Sequence, residues 1–152
     1  MTVLFATHPA YLEHLTGPGH PERPSRLQAV LDGARCPEVA EVLTPLEPVA
    51  ATRADLERVH PAWYLDRIDA VAAAGGGWID ADTRLSAHSA DAAHLAAGAG
   101  LTAVEALRRG AGTAAFCAVR PPGHHATPTD AMGFCVVSNL SLIHISEPTR
   151  PY

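Results

Sequence analysis

A chain of 152 residues is within the range of one ordinary domain, and 47% hydrophobic against 18% charged residues is enough for a sizeable core. A formal net charge of −5 argues against sequence-independent nucleic-acid binding, which depends on Lys and Arg neutralising phosphates. No apolar run reaches the roughly 20 residues that cross a bilayer, no basic segment precedes an apolar one at the N-terminus, and Cys36, Cys117 and Cys135 form an odd set without a CxxC. The expectation is a cytoplasmic protein with no membrane partner, no disulfide framework and no cysteine zinc site.

Taken in order, Thr2-Val-Leu-Phe-Ala-Thr7 is apolar and reads as the first strand. His8-Pro9 and Gly17-Pro-Gly-His-Pro21 make a long loop. Arg23-Pro24-Ser25 opens a helix on which Leu27, Val30 and Leu31 form one stripe toward the core, and Gly33 ends it. Val42 to Val49, interrupted by Pro45 and Pro48, is at most an edge strand, because proline cannot donate to a ladder. Thr52 and Asp55 have capping-box spacing for a short helix ending near His60. Pro61 suits the first turn of the next helix, which runs to about Ala74 and stops at Gly75-Gly-Gly77. Trp78 to Thr83 reads as loop, and Ser86 opens the longest helix, rich in Ala and closed near Arg109 by Gly110. His88 and His94 lack the i,i+4 spacing of a helical metal pair and read as ordinary surface or semi-buried side chains. Strands alternating with helices, without repeats or an inner linker, point to a parallel α/β sheet in one domain or part of one.

The chemistry concentrates in Arg120-Pro-Pro-Gly-His-His-Ala126 and Ala131-Met-Gly-Phe-Cys135. Ala114-Ala-Phe-Cys-Ala-Val119 reads as a buried strand leading into them, and two prolines with Gly123 stop it. On a strand His124 and His125 would point to opposite faces. On a turn at the strand's C-terminal end both can face one cleft, where open α/β sheets place their chemistry. Adjacent imidazoles suit proton transfer near neutral pH; the plainer alternative is a pair of surface-loop histidines. Asp80 and Asp82 read as turn and cap residues rather than an acid–base pair, and His20 and His60, beside prolines, as structural hydrogen-bonding residues.

With its flanks, the stretch around His124 and His125 resembles the histone deacetylase family, including bacterial deacetylases of the class II and acetoin-utilisation type. Three further segments are similar to that family and stand in its order: His20-Pro-Glu-Arg-Pro-Ser-Arg-Leu27, Leu56-Glu-Arg-Val-His60 with Tyr64, and Asp80-Ala-Asp-Thr83 with Ser86 and Ala96-Ala-Gly98. The resemblance implies part of a parallel-sheet, three-layer arginase/deacetylase-like α/β fold. It implies zinc-dependent hydrolysis of acetyl-lysine or of a small acetylated amine such as an acetyl-polyamine. In such an enzyme zinc polarises the carbonyl and activates a bound water. His125 then matches the general base and later acid, and His124 the neighbour that supports the water. Gly133 matches the position whose backbone accepts from the substrate amide, Phe134 an aromatic wall of the substrate tunnel, and Arg26 an arginine lining the internal channel. The family's Asp-His-Asp zinc ligands follow the histidine pair and have no match in this chain, so no metal ligand is assigned here. A catalytically dead domain that only binds acylated ligands or partners is the alternative.

Residues 141–152, Ser141-Leu-Ile-His-Ile-Ser-Glu-Pro-Thr-Arg-Pro-Tyr152, differ in usage from what precedes them. Upstream there are ten arginines, no lysine and only Ile68 and Ile79, whereas the tail brings Ile143 and Ile145 together and has no Ala. The tail resembles the translation of a transposon-end sequencing adapter. The expectation is therefore an N-terminal deacetylase-like portion over 1–140 and a non-native tail over 141–152, disordered from Ser141. A sheet lacking the rest of the domain would also leave an unpaired edge and be poorly soluble or partly unfolded.

Overall fold

The computed structural model describes residues 1–146. Its centre is a parallel sheet in the order β2-β1-β5, built from β1 (Val3–Ala6), β2 (Leu43–Leu46) and β5 (Ala114–Cys117). Val3 lies opposite Leu43 on one side and Ala114 on the other. Pro45 sits opposite Phe5, and β2 is an edge strand among the described residues, where a missing N–H is tolerated.

Local signals set the helices. Pro24 occupies the first turn of α1 (Pro24–Ala34), where its missing N–H costs nothing. After the short α2 (Pro37–Ala40), a reciprocal Thr52–Asp55 capping box starts α3 (Arg53–Leu56). In α4 (Ala62–Ala73), Tyr64, Leu65, Ile68 and Ala72 fall on one buried face. The long α5 (Ser89–Arg108) buries a run of Ala and Gly residues that let it approach its neighbours closely. It packs against β1, β5, α4 and the 3-10 turn Pro9–Glu13. The larger core cluster joins Leu56, Tyr64, Leu65, Ile68, Leu85, Ala93, Val136 and Leu142.

Several expectations are corrected. The loop expected over Trp78–Thr83 holds for residues 79–83, but Trp78 belongs to β3 (Gly76–Trp78), which pairs with β4 (Arg84–Ser86) as an antiparallel hairpin. Ser86 belongs to that ladder, and its N–H donates to Ser89 Oγ at 2.6 Å, so α5 starts three residues later than expected. Of the α1 stripe, Leu27 is buried and Leu31 half-buried, but Val30 is exposed. β5 is not a buried strand, since it forms the other edge among the described residues and leaves Phe116 52% exposed. Residues 141–146 are helical rather than disordered: α6 (Asn139–Ser146) lies against α5 with Leu142 fully buried. An apolar helix of this kind needs only a complementary face, and Gly100 opposite the Ile143 side chain supplies one. The remainder of the expected tail lies outside the described residues.

Candidate active site

The histidine pair follows the end of β5. Ala118 N–H still donates to Ala6 O at 2.8 Å, and the buried Arg120 then anchors the chain before it turns. At Gly123 a Cβ would collide with Val137 O and lie 2.6 Å from Asn139 Cγ, so only glycine lets the turn pass under that segment. His124 and His125 emerge exposed, with ring centroids 4.2 Å apart and planes tilted by 48°. Both are therefore exposed neighbours a few residues beyond the strand end.

Beneath them lies Cys135. Its Sγ accepts from His125 N–H at 3.3 Å, lies 4.0 Å from His124 Nδ1 and donates to Gly133 O at 3.4 Å. Burial pushes the Cys135 thiol up, against the smaller effect of backbone hydrogen bonds, so it remains a neutral spacer under the histidines. Met132 and Cys135 exchange both backbone hydrogen bonds, at 3.1 and 2.9 Å, around Gly133 and Phe134. Both central residues have positive φ, +56° and +69°, the signs of a type I′ turn. Two side chains of the preceding loop hold this turn. Gly133 N–H donates to Asp82 Oδ1 and Phe134 N–H to Thr83 Oγ1, each at 3.1 Å. Asp82 therefore caps a turn, though one 51 residues away rather than its own.

Phe134 packs edge-on against His20, with centroids 4.8 Å apart. His20 Nδ1 accepts from Glu22 N–H at 3.1 Å, and its Nε2 lies 3.2 Å from Asp82 O. His60 is buried, with Nδ1 donating to Pro128 O at 2.8 Å and Nε2 accepting from Ser138 N–H at 3.0 Å. That pairing requires the neutral ring, and burial lowers its pKa accordingly. Tyr64 stacks on His60 and donates to Val136 O at 2.7 Å, fixing the segment after the turn. His88 takes the N-cap position of α5, and His94 on the same helix lies 3.8 Å from Asp69. Arg26 is exposed on the first turn of α1, and its side chain makes no hydrogen bond or ion pair among the described residues.

One group escaped the sequence reading. Arg120 donates through Nε and Nη2 to the two Glu22 carboxylate oxygens at 2.5 and 2.7 Å, through Nη1 to Tyr11 O at 2.8 Å and through Nη2 to His14 O at 3.0 Å. His14 adds its Nε2 3.5 Å from Glu22 and its Nδ1 2.7 Å from Ser89 Oγ. All three ionisable side chains are buried. Their only trace in the sequence is that two of them lie inside the quoted motifs.

An exposed pair of adjacent histidines just past the C-terminal end of a parallel strand stands where open α/β sheets place their chemistry. A family model for the histone deacetylase domain matches residues 20–147. The chain is 39% identical over 127 residues to a histone deacetylase-like amidohydrolase of Pseudomonas aeruginosa, covering 82% of this chain and 33% of that protein. It is 37% identical over 138 residues to a probable deacetylase of Archaeoglobus fulgidus, covering 90% and 38% respectively. The crystal structure of the HDA15 HD domain superposes with a TM-score of 0.87 at 29% identity, over 95% of this chain and 42% of that one. The chain belongs to the histone deacetylase family, and its fold is part of the arginase/deacetylase-like α/β architecture. It spans well under half the length of these relatives.

Among the described residues no three His, Cys, Asp or Glu side chains converge to hold a metal ion. The described residues alone therefore do not make up a site for the zinc that the family resemblance implies. Among the same residues no helix is long and apolar enough to cross a membrane.

Proposed function

We propose that this chain is the N-terminal portion of a zinc-dependent deacetylase that hydrolyses N-acetyl amides, of acetylated lysine or of a small acetylated amine such as an acetyl-polyamine. The observation that carries the reading is the His124–His125 pair, 4.2 Å ring to ring, opposite the Gly133–Phe134 turn. His125 serves as the base that takes a proton from water and returns it to the leaving amine, with His124 supporting the same water. The Gly133 carbonyl accepts from the substrate amide, Phe134 walls the acyl chain, and Arg26 lines the channel through which acetate leaves. Zinc belongs to the whole enzyme, held by side chains supplied from outside residues 1–146. Three free cysteines suit a reducing compartment, so we place the protein in the cytoplasm. The usage shift after Leu140 supports reading residues 141–152 as a non-native tail, whose first part has docked as α6.

On this reading the 152-residue polypeptide itself is inactive. Three protein ligands are needed to hold a catalytic zinc, and among the described residues no carboxylate is bonded to either histidine to tune it. The test expresses residues 1–152, measures zinc after dialysis and assays a fluorogenic acetyl-lysine substrate. No retained zinc and no turnover are expected. Stoichiometric zinc with turnover abolished by His125→Ala would overturn the proposal. A longer coding sequence that kept Phe134 but lacked an Asp-x-His segment would favour an acyl-binding domain instead.

A further inference from the structure

Glu22 touches both sides of the cleft without entering it. Its carboxylate takes two hydrogen bonds from Arg120, and the short segment Pro121-Pro122-Gly123 joins that arginine to His124. Proline fixes φ at two of those positions, and Gly123 is wedged against Val137 and Asn139, so little freedom separates the guanidinium from the imidazoles. In the other direction, Glu22 N–H donates to His20 Nδ1, and the His20 ring carries Phe134 on its edge. Thr16 Oγ1 donates to Glu22 O, and the Arg120 bonds to Tyr11 O and His14 O draw the rest of residues 11–22 into the same unit. The carboxylate is 1% exposed and Arg120 3%, so neither has water to substitute for its partner.

We propose that Glu22 is a positioning residue: through Arg120 on one side and His20 on the other, it sets the separation between the His124–His125 pair and Phe134. The proposal rests on reading those residues as one cleft. It predicts an effect concentrated at the two segments that Glu22 bonds, through Arg120 and through His20.

The experiment is hydrogen exchange read by mass spectrometry on the full chain and on Glu22→Gln, which keeps the shape but removes the charge. Backbone amides in 118–126 and 131–137 should exchange about tenfold faster in the variant over and above the acceleration seen in 62–73, which reports the global stability lost with the charge. Histidine C2 exchange at His124 and His125, which senses the ring surroundings, should change by about threefold. Arg120→Lys should give the same pattern, since an ammonium cannot reproduce the two-point contact. Equal acceleration in 62–73 would mark Glu22 as merely structural and overturn the proposal, as would unchanged histidine rings in a folded variant. A reading without substitutions guards against a variant that fails to fold. With rising denaturant, residues 11–22 and 118–126 of the unaltered chain should open together, and earlier opening of 11–22 alone would also overturn it. These readouts report geometry and need neither zinc nor turnover, so their failure is distinguishable from retained zinc with turnover, which would overturn the deacetylase-fragment reading.

Discussion

Gly133 meets two demands at once. Its φ of +56° lies in the left-handed region, and an added Cβ would sit 2.7 Å from His125 Cδ2 and 3.0 Å from its Cγ. Gly133→Ala should lose about 1–2 kcal/mol from the backbone alone, and more if the ring resists. The ring can yield because it is exposed, so the larger consequence is displacement of His125 rather than unfolding. Urea melts with histidine C2 exchange would show a modest stability loss together with a changed His125. At Glu22 the arithmetic concerns protons. Burial alone would raise its carboxyl pKa, but hydrogen bonds from His14 and Arg120 outweigh burial and draw it from 4.5 down to about 2. A depressed carboxylate contributes stability that is complete above its unfolded pKa and lost as pH falls through the folded one. The advantage of the unaltered chain over Glu22→Gln should therefore be level above about pH 4.5 and shrink toward pH 2, by on the order of 3 kcal/mol. A pH series of denaturant melts on both proteins measures it, and an advantage that persisted at pH 2 would contradict the pairing.

At the scale of elements, α5 shows how close approach and propensity compete. At Gly98 a Cβ would run into Val49 O and Ala51 N, because residues 49–51 cross the helix at backbone distance. Ala51 N–H donates to His94 O at 3.0 Å, which fixes that crossing. Helix propensity favours Ala over Gly by about 1 kcal/mol, whereas overpacking against backbone that cannot move aside costs about 1–3 kcal/mol or more. The collision should win, so Gly98→Ala should lower the midpoint of thermal unfolding. Gly33 in α1 meets nothing within 4 Å, and there the same substitution should stabilise by about 0.5–1 kcal/mol. A calorimetric comparison of the two variants separates the terms. If both were stabilising, the 49–51 crossing would not be as drawn here.

For the whole molecule, the sheet edges dominate behaviour in solution. Among the described residues β5 has a partner only in β1, and Phe116, stacked on Phe5 at 5.9 Å, is half exposed beside that open edge. Such an edge is a template for pairing with another chain. Phe116→Lys should raise the concentration at which the protein stays dispersed, as light scattering would report, at about 1 kcal/mol cost from the lost aromatic pair. No gain in dispersal would place the association surface elsewhere.

The elements that could be read correctly from the chain alone are those decided within a few residues. The Thr52–Asp55 box, proline in the first turn of α1, the span of α4 between Pro61 and Gly75 and the edge character of β2 each depend on neighbours in sequence. Ordered motifs likewise placed the histidine pair at a strand end and marked Gly133 and Phe134 beside it. Other features were decided only when distant segments met. Glu22 and Arg120 are 98 positions apart, and nothing local distinguishes a buried, fully bonded arginine from a solvated one. Residues 76–86 became a hairpin because Gly76, Gly77 and Trp78 found Ser86, Leu85 and Arg84 opposite them. α6 formed on the face that α5 offers rather than on any start signal of its own. Short-range capping and periodicity act in the chain wherever it lies, whereas desolvation and close packing act only between surfaces already brought together. For that reason the sequence singled out the histidine pair, and only the folded structure determined what surrounds it.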